Sequence, residues 1–147
     1  MIINLDYTSE IPIYLQLRNE IVKGIANGQF KYGESLPTVR TLAQDLQVNN
    51  MTVNKAYGLL KQEGYICIDR RHGAKVQPTI DNSHEHQEKL LDELELLASE
   101  AIVKGMNKDE FINTINSGDM VSEAAIEQNN PNLVTDTCLL YTSDAAD

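Results

Sequence analysis

The sequence predicts a mostly α-helical protein that carries one small β-hairpin. Over most of the chain, apolar residues recur every three or four positions, which is the spacing of helices with one buried face. Over residues 65–69 this spacing changes to alternation, and a basic turn and a second short strand follow. The chain has 147 residues, of which 41% are hydrophobic, so it is large enough for a modest core and an appendage.

Three helices are predicted before the hairpin. The first spans residues 11–27, and its Gly24 lowers helix propensity but leaves room for a closely packed neighbour. The second begins after Thr38, which can cap it, and ends near residue 46. A tight connection then leads to Asn49, a good N-cap for the third helix, in which Val53, Ala56, Tyr57 and Leu60 form an apolar stripe.

The hairpin completes the predicted domain. Strands at residues 65–69 and 74–77 flank a basic turn at residues 70–73. Three helices, of which the last two are joined by only a few residues, followed by a hairpin describe a winged helix-turn-helix. Residues 1–78 are therefore predicted to form this domain.

A different kind of segment follows the hairpin. Residues 79–117 are predicted to form helices at 84–104 and 108–116, with an apolar side too large to leave in water. We expect this segment to form a homodimer by burying that side against a second copy. The residues expected in the interface are Leu90, Leu91, Leu94, Leu97, Ala98, Ala101, Phe111, Ile112 and Ile115. Residues 118–147, rich in Asn, Ser, Thr and Asp, are expected to be a tail that is disordered or not native to the gene.

Charge is divided unevenly along the chain. The net charge of −10 disfavours nucleic-acid binding when it is taken as one number. Residues 1–77 hold nine Lys and Arg against seven Asp and Glu, a balance of +2, whereas residues 78–147 hold three against fifteen, a balance of −12. The first half can therefore approach phosphate, and the second half would be repelled by it.

The third helix and the hairpin offer the chemistry of a DNA reader. Asn near a helix start can pair with adenine, and Met or the Thr methyl can touch the thymine methyl in the major groove. The cationic turn suits an adjacent groove. Either feature alone has a simpler explanation, helix capping or a solvated turn, but their joint occurrence in this order favours DNA. The residues expected to contact double-stranded DNA on these grounds are Arg40, Asn50, Met51, Thr52, Asn54, Lys55, Arg70, Arg71, His72, Gly73 and Lys75.

Four stretches of the sequence resemble the DNA-binding domain of the GntR family. They are IPIYLQL at residues 11–17, GESLPTVRTLA at 33–43, VNNMTVNKAYGLL at 48–60 and EGYI at 63–66. The resemblance covers about residues 10–77, half of the chain. By position, it implies DNA contacts from Arg40, Asn49, Asn50, Met51, Thr52, Asn54, His72 and Gly73.

The sequence departs from that family's pattern at two places. Asn49 and Asn50 stand where the family usually has Ser and Arg, so a guanine-reading Arg is expected to be missing and the sequence preference does not transfer. Tyr32 replaces a Pro before Gly33, which affects only a turn. The short segment after the domain resembles the YtrA-like branch, which implies a homodimeric repressor that binds an inverted-repeat operator and often controls neighbouring ABC-transporter genes.

Three other classes of protein are alternatives to a DNA-binding regulator. An enzyme is disfavoured, because no nucleophile elbow or phosphate-binding loop is present and His72 lies among arginines rather than beside an orienting carboxylate. A metal- or ligand-responsive sensor remains open, since the run at residues 84–88 could place ligands near a helix start, although such a run is more often a solvated first turn. A pure protein-interaction module remains open as well. No metal or other cofactor is expected.

The expected location is the cytoplasm. The N-terminus lacks the basic and apolar stretches of a signal peptide, and no apolar run is long enough to span a bilayer. Cys67 and Cys138 lie far apart and show no metal-binding spacing, so both are expected to be reduced thiols.

Overall fold

The computed structural model describes residues 3–77 and 84–116. Contacts within them separate two compact units, one with the first three helices and the hairpin, the other with two later helices. The domain boundaries expected from the sequence stay predictions. The expected tail at residues 118–147 lies outside the described residues.

The elements of the first unit appear in the predicted order. Helices α1, α2 and α3 span Ile13–Ala26, Val39–Leu46 and Asn50–Gln62. An antiparallel pair of strands follows, β1 at Ile66–Asp69 and β2 at Gly73–Val76. The prediction of a mostly α-helical fold with one hairpin is therefore confirmed.

The core of the first unit draws apolar side chains from all five elements. Leu17 and Ile21, four positions apart on α1, are fully buried, as the spacing of its apolar residues predicts. Phe30 and Leu36 contribute from the loop between α1 and α2. The remaining buried apolar residues of this cluster are Ile25, Leu42, Ala43, Val53, Ala56, Tyr57, Leu60, Ile66, Ala74 and Val76. The unit is thus stabilised by a core of its own.

The hairpin is attached to the helices on its second edge. β1 and β2 pair in a register that places Asp69 opposite Gly73. The loop before α2 lies along the free edge of β2, where Ser35 forms an isolated β-bridge with Lys75. This bridge ties the hairpin to the segment that leads into α2, so the turn between the strands projects from an anchored base.

The second unit consists of α4 at His84–Val103 and α5 at Lys108–Asn116. Asn107 caps α5 reciprocally: its Oδ1 accepts from the Glu110 N–H at 2.9 Å, and the Glu110 carboxylate accepts from the Asn107 N–H at 3.0 Å. None of the described side chains of these two helices is buried. The unit therefore has a capped start of α5 but no core of its own among the described residues.

Cys67 departs from the sequence-based expectation. Its side chain is buried in β1 and is disulfide-bonded, so the prediction of two reduced thiols is wrong at this position. The other half of the bond lies outside the described residues. Spacing could not reveal it, because a disulfide bond depends on how the chain folds rather than on a local pattern of residues.

Gly24 makes room for a neighbour, as predicted. A Cβ at this buried position would lie 2.4 Å from the Phe30 ring. We expect Gly24→Ala to lower the free energy of unfolding by about 1–3 kcal/mol, since a buried ring must shift. Gly58 in α3 is the matched control, because an added Cβ there meets nothing within 4 Å. Gly58→Ala should raise stability by about 0.5–1 kcal/mol through helix propensity. Urea denaturation measures both, and equal effects would contradict the packing explanation.

Candidate nucleic-acid interface

A short connection joins α2 to α3, and both helices have capped starts. The Thr38 hydroxyl accepts from the Thr41 N–H at 3.1 Å and caps α2. Gln47 ends α2 in the left-handed conformation, with φ of 56°. The Asn49 Oδ1 then accepts from the Met51 N–H at 2.9 Å and caps α3. Both capping predictions are confirmed, and these satisfied ends hold the start of α3 in place.

The inner face of α3 fixes which side of the helix faces outward. Val53, Ala56, Tyr57 and Leu60 are buried. The Tyr57 hydroxyl donates to the Pro37 carbonyl at 2.8 Å, and burial raises the pKa of Tyr57. The phenol is therefore a neutral donor at physiological pH, and its bond joins α3 to the segment that leads into α2.

The outer face of α3 carries most of the side chains predicted to read bases. Met51 is 76% exposed, so its apolar side chain is available to a ligand outside the unit. Asn50, Asn54 and Lys55 are also exposed, whereas Thr52 is half-buried and less available than the sequence suggested. Arg40 is exposed on the first turn of α2. These groups offer amide and guanidinium donors and one thioether to a ligand outside the unit.

Lys55 has an aromatic partner that the sequence analysis missed. Its Nζ lies over the Tyr14 ring of α1, 4.0 Å from the centroid. A cation over an aromatic face is attracted by the ring quadrupole, and the contact restricts a flexible side chain. Tyr14 is half-buried, so one face of its ring remains for the ammonium group.

The turn between β1 and β2, here called the wing turn, presents Arg70, Arg71, His72 and Gly73 to solvent. Lys75 follows in β2 and is half-buried. Gly73 has a φ of 75°, a conformation that favours glycine. Three basic side chains therefore project at one narrow turn, which suits the phosphate-lined edge of a groove.

His72 corrects a statement made from the sequence. It does have a carboxylate partner, because the imidazole Nδ1 is hydrogen-bonded to Asp69 Oδ2. The other Asp69 oxygen accepts from the Arg71 N–H at 2.8 Å. The Arg71 bond and then the His72 bond hold the pKa of Asp69 below its usual range. Because the chain reverses direction at this turn, Asp69 and His72 come into contact although they are three positions apart.

The metal-sensor alternative requires a cluster of side chains that can bind a metal ion. Residues 3–77 and 84–116 contain no group of three His, Cys, Asp or Glu that could hold a metal ion, and the His84 side chain lies outside the described atoms. The metal-sensor hypothesis stays untested. Within the same ranges, the helices are too short or too polar to cross a membrane.

The first unit is therefore a winged helix-turn-helix. α2 and α3 form the helix-turn-helix, the start of α3 is exposed and polar, and the wing turn is basic. The family model for bacterial regulatory proteins of the gntR family matches residues 13–76. The solved structure of YtrA from Sulfolobus acidocaldarius, a GntR-family transcription factor, is 35% identical with a TM-score of 0.54 and covers 66% of this chain and 99% of its own. The chain belongs to the GntR family of bacterial regulatory proteins.

Two curated relatives carry the word repressor in their names. The chain is 41% identical over 56 residues to the arabinose metabolism transcriptional repressor of Geobacillus stearothermophilus, which is 38% of this chain and 15% of that protein. It is 38% identical over 74 residues to the transcriptional repressor YtrA of Bacillus subtilis, which is 50% of this chain and 57% of that protein. The matches therefore span less than two thirds of these relatives. Family membership confirms the prediction of a regulator of the YtrA-like kind rather than an enzyme.

The Asn49 cap generates a stability prediction. Asn49→Ala should lower the free energy of unfolding by about 1 kcal/mol, because the Met51 N–H loses its acceptor. Asn49→Ser should retain most of the stability, since the hydroxyl can accept the same bond. Asn50→Ala serves as the control, because Asn50 has no capping bond and should change stability by less than about 0.5 kcal/mol. Thermal and urea unfolding followed by circular dichroism measure all three. A destabilised Asn50 variant beside an unaffected Asn49 variant would contradict the assignment.

Proposed function

We propose that this protein is a sequence-specific DNA-binding repressor of transcription that acts as a homodimer. The observation that carries the proposal is the presence, in one unit of a GntR-family fold, of an exposed polar helix start and an exposed basic wing turn. The names of two relatives as repressors support the direction of regulation. Since the chromosome is the target, the protein works in the cytoplasm.

In this proposal α3 reads the major groove and the wing turn contacts the adjacent groove. Asn50 and Asn54 supply amides that can pair with adenine, and Met51 can bury its exposed side chain against a thymine methyl. Arg40 and the basic residues of the wing turn bind phosphates, which fixes the register of α3 on the duplex. The cap engages the Oδ1 of Asn49 in one hydrogen bond, and its amide N–H groups are left to contact DNA.

The apolar face of the second unit supports a homodimer. Leu90, Leu94 and Leu97 are spaced to lie on one side of α4 and are each more than 40% exposed. Ile112 and Ile115 of α5 are exposed to a similar degree. The other residues expected in the interface divide into exposed Leu91 and half-buried Ala98, Ala101 and Phe111. A second copy is a suitable cover, because it brings an equal apolar face in a closed two-fold arrangement.

A two-fold dimer dictates the form of the operator. One winged helix covers one half-site and seldom supplies enough specificity for a genome. Two of them related by a two-fold axis bind an inverted repeat, with half-site centres about one helical turn apart or a multiple of it. The similarity to YtrA supports a gene target of the kind its branch implies, a neighbouring ABC transporter.

A pair of substitutions tests the division between base reading and phosphate binding. Asn50→Ala should relax the preference at one base pair and cost about 1–3 kcal/mol on the preferred site. Arg71→Ala should weaken preferred and random DNA alike and reduce the salt slope by about one unit. Selection from a random duplex pool identifies the site, and filter binding at several salt concentrations gives the affinities. A changed preference for the Arg71 variant with none for the Asn50 variant would reverse the roles, and no DNA binding at low salt would favour a protein-interaction module.

The dimer is tested on the outer surface of α4. Leu94→Glu places a charge within the proposed interface and should convert the dimer to a monomer. Leu96→Glu is the matched control, because Leu96 is also exposed but lies two positions further on, about opposite on the helix. Light scattering at micromolar concentration without DNA measures the mass of each. A monomeric wild type would contradict the dimer, and dissociation by the Leu96 variant alone would place the interface on the other side of α4.

A further inference from the structure

Asp69 is a buried charge with no part in the DNA contacts proposed above. It is 4% exposed and is the one buried polar residue within the described ranges. Its carboxylate accepts from the Arg71 N–H through Oδ1 and is bonded to the His72 ring through Oδ2. The ring itself remains open to solvent, with 58% of the His72 side chain exposed. The buried Asp69 carboxylate thus holds the Nδ1 side of the His72 ring, which is otherwise exposed.

The Asp69 carboxylate determines which ring nitrogen of His72 carries the proton. An ionised carboxylate can only accept hydrogen bonds, so the Nδ1 that meets it must carry hydrogen. The Arg71 and His72 bonds lower the pKa of Asp69, so it stays ionised throughout the range in which an imidazole titrates. The neutral ring therefore presents a lone pair at Nε2, and only the imidazolium presents a donor there.

We propose that Asp69 is a positioning residue of the wing turn, which fixes the tautomer of His72 so that its Nε2 donates to a DNA phosphate only when the ring is protonated. The inference rests on the proposed function, since it assumes that the wing turn meets DNA. The other charged groups of the hairpin are Arg70 and Arg71 in the turn and Lys75, whose charge acts on Asp69. These positive charges favour an anionic group, such as a phosphate, as the partner of the His72 ring.

The Asp69→Asn substitution should reverse the tautomer of His72 while it preserves the conformation of the wing turn. The amide oxygen in D69N can still accept from the Arg71 N–H, which leaves the amide NH₂ facing Nδ1. That group is a donor, so Nδ1 must become the acceptor and the proton moves to Nε2. In D69N the neutral ring consequently offers a donor to phosphate, and binding no longer needs protonation.

DNA affinity as a function of pH is the first test. Fluorescence anisotropy with a 30-base-pair mixed-sequence duplex at constant ionic strength gives the affinity between pH 6 and pH 8.5. Wild-type affinity should fall roughly fivefold as the pH rises, the loss of one exposed ionic contact, and H72Q should abolish this dependence. D69N should also be nearly independent of pH and should bind at pH 8.5 at least as tightly as the wild type. H86Q, at an exposed position on α4, should keep the wild-type profile.

The same measurements of affinity against pH would also reveal the outcomes that contradict the inference. If Asp69 only stabilises the turn, D69N binds more weakly at every pH and keeps the wild-type slope. If affinity rises with pH, the neutral ring is the contacting form. Identical wild-type and H72Q profiles would remove His72 from the mechanism, and each of these results would overturn the inference.

Nitrogen-15 NMR of the His72 ring in the free protein is the second test, and it is independent of DNA. When the ring is neutral, the wild type should show the Nδ1–H tautomer and D69N the Nε2–H tautomer. A wild-type ring in the Nε2–H form would overturn the inference. If the protein bound no DNA at any pH, the proposed function would fall, and this spectrum alone would decide the assignment of Asp69.

Discussion

The burial of one face of α3 is the constraint on which the rest of the first unit depends. Val53 and Leu60 are fully buried, and two further residues of the helix join them in the core. Because an α-helix has 3.6 residues per turn, burying that stripe leaves no choice about which side chains face outward. The bond from Tyr57 to Pro37 stabilises the same rotation. The exposed start of α3 is therefore positioned by the packing of the opposite, buried face of the same helix.

The other elements of the first unit serve to hold that helix and its neighbour in place. α2 has only eight residues, too few to be stable alone, and it persists because Leu42 and Ala43 are buried and Thr38 caps its start. The wing is anchored through Ser35, which bridges to β2 from the loop before α2. Rigid support of this kind lets a few exposed side chains keep one geometry without a ligand.

The two units have different physical characters. The first is nearly neutral and buries its apolar residues, while the second is acidic and exposes them. An acidic segment is repelled by phosphate, and an exposed apolar face is typical of an interaction surface. This division explains how a chain with a net charge of −10 can belong to a family of regulators.

The sequence by itself determined the order of the elements, the caps at Thr38 and Asn49 and the buried stripes of the helices, because each is a local pattern of residues a few positions apart. It also indicated the small space at Gly24 and the basic wing turn. Only the tertiary structure decided that Lys55 lies over Tyr14, since these two residues are distant in sequence, and that Cys67 is disulfide-bonded, since no local pattern indicates such a bond. The hydrogen bonds of Asp69 are local, but the burial of its carboxylate is a property of the folded chain that no local pattern indicates.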